Sequence, residues 1–341
     1  MTELLIEWVI KSAVLLGILL TGFAYLTFLE RKVMSWIQLR VGPNRAGPWG
    51  LLQPAADGLK MILKEDIIPT DVTKWLYIAA PAIAVIPALM SFIVIPYGSV
   101  IPADSALNPL GRPITLHVTE INIAIVYLFA LTSLGVYGIA LAGWASNNKY
   151  SLMGGLRASA QMVSYELALG LSIVGVLLCT GTLNLARIVE QQPNESWAVF
   201  LLKYLTLPIF FIAALAEANR TPFDLPEADS ELVAGYHIEY SSMKFALFQM
   251  AEYMNLITSV SLMVTLYFGG WRGPGVESIP LLGPVYFAIK ALIIIFVVMW
   301  IRFTVPRFRY DQLMKLGWKV LLPLALLNIV IIGTALLFIN Q

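Results

Sequence analysis

The residues with the most chemical potential are acids set inside apolar sequence. Glu166, Glu217 and Glu252 each lie in, or close the end of, a run long enough to cross a bilayer. A charged carboxylate at the centre of a membrane helix costs roughly 2.5–3.5 kcal/mol, so by default it marks a pathway. At 1.5 Å per residue, Glu166 sits about 14 Å and Glu252 about 12 Å from the inner ends of their segments. Burial and like-charged neighbours both raise carboxylate pKa values, which permits proton exchange near neutral pH. The spacing therefore predicts a line of carboxylates reaching inward from one face, with proton transfer as its chemistry. The plainer alternative is three structural acids, each neutralised or paired with Tyr, Ser or Arg.

A second group lies in EANRTPFDLPEADSELVAGYHIEYSS, which carries Glu217, Asp224, Glu227, Asp229, Glu231 and Glu239. Glu227, Asp229 and Glu231 alternate, so on an extended segment they share one face. Acids that close couple to one another and to any nearby charge change. An acidic loop is more often a solvated surface, but here the acids alternate with apolar residues. His237 beside them titrates near neutrality and could donate a proton, or be a satisfied loop histidine. A third group is basic: Arg31, Arg40 and Arg45, then Arg302, Arg307 and Arg309. These serve either as anchors to anionic headgroups or as partners for the acids at the mouth of a cavity. Lys290, in the outer third of its span, either snorkels to the interface or takes part in proton exit.

The elements that must position these groups are membrane helices. Of 341 residues, 59% are hydrophobic and 13% charged, about half the charge of a soluble domain. Apolar segments at roughly 8–29, 76–97, 121–143, 157–181, 198–216, 244–268, 283–302 and 319–339 predict eight spans. The expected fold is an all-α integral membrane protein, one polytopic domain over 1–341. Most of the 22 Lys and Arg fall in four connections, 30–75, 144–157, 217–243 and 302–319, which the positive-inside rule places in the cytoplasm with both termini outside. Leu52, Leu59, Ile62 and Leu63 recur at helical spacing within the first connection, as in an amphipathic helix lying in the interface. The first turn, with Glu3 and Glu7, reads as a retained span rather than a cleaved signal. Cys179 is the single cysteine, so the chain forms no internal disulfide and cannot alone supply the four thiolates of an iron–sulfur cluster. The net charge of +1 gives no case for nucleic acid.

These residues resemble a family. GLLQPAADGLKMILKED (50–66) and RTPFDLPEADSELVAGYHIEYSSMKFA (220–246) look like the two signatures of the H subunit of bacterial NADH–quinone oxidoreductase, subunit 1 in mitochondria. ERKVMSWIQLRVGPNRAGP, GWASNNKYSLMGGLRASAQMVSYE and WIRFTVPRFRYDQLMKLGWK resemble its other cytoplasmic segments, so the likeness covers nearly the whole chain. The resemblance implies a subunit of respiratory complex I that bounds a chamber for quinone as substrate and holds no metal, flavin or cluster. Electrons would come from cluster-bearing hydrophilic subunits on the cytoplasmic face, with antiporter-like subunits as membrane partners. The chamber positions would be Arg31, Arg40, Asp57, Lys60, Phe223 and Asp224. The coupling acids would be Glu227, Asp229, Glu231, Glu217, Glu166 and Glu252. The membrane would be the prokaryotic plasma membrane, or the mitochondrial inner membrane. This chain has Asp229 where the family usually has Glu, and His237 where it usually has Asn. Three other readings are a membrane subunit of a ferredoxin- or hydrogenase-linked complex, a self-contained transporter, and a passive anchor. A transporter would show inverted repeats, and none is visible.

Overall fold

The computed structural model describes residues 2–102, 113–224 and 233–339. Within these the chain is almost entirely helical: α1 (Thr2–Ile37), α2 (Gln53–Leu63), α3 (Lys74–Met90), α4 (Ala124–Ala145), α5 (Lys149–Thr180), α6 (Leu185–Gln191), α7 (Trp197–Glu217), α8 (Ser242–Tyr267), α9 (Leu282–Thr304), α10 (Tyr310–Lys315) and α11 (Leu322–Ile339). A π-turn, Leu316–Leu321, joins α10 to α11. Among the described residues the strands form one short antiparallel ribbon, pairing Val100 with Thr115 and Ile101 with Ile114.

Among the described residues, seven helices are long and apolar enough to cross a membrane. The eighth expected span, 244–268, does form a long helix, α8, but it falls short of those seven in hydropathy. Its packing explains the difference. From Val260 to Tyr267 every residue of α8 is buried, so neighbouring helices rather than lipid surround it. A helix so enclosed can carry Glu252, Asn255 and Thr258 where a lipid-facing helix could not. At the periphery, Ile18 of α1, Ile293 of α9 and Leu327 of α11 are exposed, as lipid contact requires.

Three expected connections are shorter than the hydropathy suggested, that at 302–319 because the last span begins at Tyr310. α1 runs on to Ile37, beyond residue 29. α5 begins at Lys149, where Asn148 caps it by accepting from the Tyr150 amide at 2.9 Å. Its first turns are too polar to read as a span because they pack on protein: Ser151 Oγ donates to the Tyr236 carbonyl at 2.9 Å. Small residues allow close helix contact, as is usual in membranes. A Cβ on Gly138 would lie 2.6 Å from the Ala84 backbone, and one on Gly155 3.1 Å from Gly143. α2 has no buried residue and, with Leu52 just before it, exposes Leu59, Ile62 and Leu63, the apolar face expected of an interfacial helix.

Candidate functional site

The four basic connections converge at one end of the bundle. Lys244 at the start of α8 pairs with Asp66 at 2.9 Å, and Ser242 Oγ donates to the Met61 carbonyl at 2.9 Å, tying the end of α2 to α8. Glu239 accepts from Asn148 Nδ2 at 2.6 Å, while Tyr77 donates to the Glu239 carbonyl at 2.6 Å. Asp224 pairs with Arg307 at 3.1 Å, and the Phe308 amide donates to the Pro222 carbonyl at 3.2 Å. The turn after α7 is organised from α5: buried Gln161 Nε2 faces the carbonyls of Ala216 and Phe223, each at 2.8 Å, and Asn219 Oδ1 at 3.1 Å.

Beneath this lies a buried cluster around Glu30, a residue just beyond the expected first span, 8–29. Glu30 is buried in α1 and accepts from Arg302, from Tyr253 Oη at 2.6 Å and from Arg220 at 3.5 Å. The Arg220 guanidinium lies 4.1 Å from the centre of the Tyr253 ring, within cation–π range. Burial alone would lower the pKa of Arg220, but Tyr253, Glu30 and Glu252 more than reverse that and hold its charge firmly. Among the described residues, Arg220 Nε and Nη2 have no hydrogen-bond partner.

Of the expected coupling acids, three are placed together. Glu217 and Glu252 are buried and line one cavity with Met162, Asn219, Tyr236 and Asn255. It offers about 10 Å³ to a water centre, about what one water molecule needs. Glu166 is half-buried, accepts from Ser133 Oγ, and lies within electrostatic reach of Glu217. Arg220 thus feels the charge of both Glu30 and Glu252, and Glu217 that of Glu166, on either side of the shared cavity. Glu227, Asp229 and Glu231 lie outside the described residues.

The expected chamber residues fall into two pairs and two single positions. Arg31 pairs with Asp57 at 2.7 Å, and Gln53 adds a bond to Asp57 at 3.0 Å. Phe223 is buried between Tyr165 and Phe308, with ring centres 5.8 and 5.6 Å away, beside the Asp224–Arg307 pair. Arg40 is exposed and donates to Gln38 at 2.7 Å; Lys60 is exposed on α2. His237 is buried, 5.2 Å edge-on to the Phe245 ring. Lys290 is half-buried and turns back onto the end of α8. Its ammonium donates to the carbonyls of Phe268, Gly270 and Arg272 at 2.8, 3.0 and 2.6 Å, closing the end of α8.

Fold and site together define a polytopic membrane protein with a chain of ionisable groups entering from one end. Residues 10–333 match the family model described as NADH dehydrogenase. The chain is 48% identical to an H subunit of NADH-quinone oxidoreductase from Cytophaga hutchinsonii, covering 98% of each chain. It is 50% identical to an H subunit of the same enzyme from Geobacter sulfurreducens, over 96% of this chain and 94% of that one. It is 52% identical to the H subunit from Protochlamydia amoebophila, over 91% and 92% respectively. The chain belongs to the H-subunit family of NADH–quinone oxidoreductase, complex I. It is thus a membrane subunit of an oxidoreductase complex, and other subunits of that complex are its partners.

Proposed function

We propose that the end of the bundle where the basic connections meet forms part of the quinone chamber and passes the charge change of quinone reduction to a proton route. The observation that carries this reading is the buried Glu30–Arg220 pair, within electrostatic reach of Glu252, which shares a cavity with Glu217. Reduction of quinone to quinol takes up two electrons and two protons. Cluster-bearing partner subunits supply the electrons, at a headgroup held near Phe223, Asp224 and the Arg31–Asp57 pair. The unpartnered donors of Arg220 suit a water molecule or a quinone oxygen. Taking a proton from one acid alters the field at the next. Two unit charges 4 Å apart interact by about 4 kcal/mol at an effective dielectric of 20, enough to move a neighbouring proton. Glu227, Asp229 and Glu231 supply further acids at the mouth, and the route leads through Glu217 and Glu166 toward antiporter-like subunits. The connected end faces the bacterial cytoplasm, with both termini outside.

Kinetics on the intact complex test the chamber. Phe223→Ala removes the buried ring and Asp224→Asn breaks the pair with Arg307. Both are expected to raise KM for quinone and weaken quinone-site inhibitors, while NADH oxidation by an artificial acceptor is unchanged. Unaltered quinone KM and inhibitor sensitivity in both variants would contradict the placement.

A further inference from the structure

At the far end of α5 from Asn148, a surface groove of about 470 Å³ opens beside the last turns of that helix. Its wall is apolar, made by Val174, Leu177 and Leu178, and two of these are exposed where lipid would lie: Val174 at 37% and Leu178 at 44%. Its head is polar, made by Asn122, Thr182 and Arg187. The change of character falls where α5 stops, at Gly181 in a left-handed turn (φ +65°). An apolar wall ending in a cation at the end of a membrane span matches the layout of a phospholipid, acyl chain below and phosphate above.

The charge pattern favours an anion. Arg187 is exposed, and among the described residues its guanidinium has neither a hydrogen bond nor a salt bridge. Among the described residues, the other basic groups in this part of the molecule are engaged. Lys203 pairs with Glu195 at 2.8 Å, Arg272 donates to the Glu190 carbonyl at 2.8 Å, and Lys290 holds the end of α8. The volume is in the range of ligand clefts, about 300–1,000 Å³. We propose that this groove binds an anionic phospholipid, its phosphate on Arg187, Asn122 and Thr182 and an acyl chain along Val174, Leu177 and Leu178.

The test uses the intact complex in nanodiscs containing phosphatidylglycerol with a diazirine on one acyl chain, and a matched set containing phosphatidylcholine with the same probe. After irradiation, labelling is mapped by mass spectrometry. The expected result is phosphatidylglycerol label concentrated in residues 174–187, with far less from phosphatidylcholine. Arg187→Gln is expected to lower that label about fivefold, which is what roughly 1 kcal/mol per basic group at a membrane surface amounts to. Leu178→Trp, which fills the wall and leaves Arg187 in place, is expected to lower label from both lipids. Equal labelling by the two lipids, or label indifferent to Arg187→Gln, would overturn the proposal. So would crosslinking of a photoreactive residue at 178 to a neighbouring protein subunit, since protein would then fill the groove.

Discussion

At the scale of single residues, Glu30 has the largest structural consequence because one carboxylate pairs with two guanidiniums. Arg220 and Arg302 both face it, and Tyr253 donates to it. Removing one partner of a buried ion pair typically costs about 3–5 kcal/mol, since the remaining charge stays buried. Glu30→Ala is therefore expected to lower the thermal stability of the complex sharply, and Glu30→Asp to recover part of it. A melting temperature unchanged in Glu30→Ala would contradict the pairing. Glu30 was hidden in the sequence because Arg31 and Lys32 follow it directly and mimic the end of a span. Glu166, Glu217 and Glu252 were legible because each interrupts apolar sequence. His117 supplies a pH-dependent test. Burial lowers its pKa from 6.5, against an opposing effect from Glu120. The folded state thus binds fewer protons than the unfolded state over that interval. The stability linked to neutral His117 is present above pH 6.5 and lost as pH falls through the folded value. His117→Gln is expected to flatten that part of a melting curve taken against pH; an identical slope would sink the assignment.

At the scale of elements, close approach and end-capping set how the helices meet the site. A Cβ on Gly154 of α5 would lie 2.7 Å from the Cα of Gly235, which sits in a left-handed turn (φ +65°) and is backbone that cannot yield. Gly154→Ala is expected to displace residues 233–240 and impair assembly. Gly170→Ala on the same helix, whose nearest contact is a ring atom of Phe129 at 3.8 Å, serves as the tolerated control. Equal yields of assembled complex from both would argue against the contact. Lys290 ends α8 from the neighbouring α9, and hydrogen bonds to charged groups contribute about 1.5–3 kcal/mol. Lys290→Met is expected to destabilise the complex by about 2 kcal/mol, read as a lower melting temperature; a snorkelling lysine would leave it unchanged. Helices facing lipid were easy to read, since their hydropathy is their function. α5 began earlier than hydropathy implied because Ser151, Gly154 and Gly155 contact protein, and α8 is more polar than a lipid-facing span for the same reason. The ribbon at Val100–Thr115 and the short α6 had no signal comparable to a span, being set by packing between longer helices.

At the scale of the whole molecule, basic residues concentrate at one end of the bundle. Connections carrying most of the basic residues meet at one end, through Lys244–Asp66, Asn148–Glu239, Arg307–Asp224 and Arg302–Glu30. That convergence was legible from the distribution of Lys and Arg along the chain. The particular pairings were not, because they depend on which helices become neighbours. From this end the ionisable groups descend into the bundle, and the account stands on their acting in series. The most direct measurement is the proton-to-electron ratio of the intact complex in proteoliposomes, compared for wild type, Glu217→Gln, Glu252→Gln and the double variant. Serial action predicts that each single variant loses most coupled turnover while the complex assembles and passes electrons from NADH to an artificial acceptor at the normal rate. It also predicts that the double variant is little worse than either single one. A wild-type ratio and a wild-type rate of quinone reduction in both single variants would contradict the account.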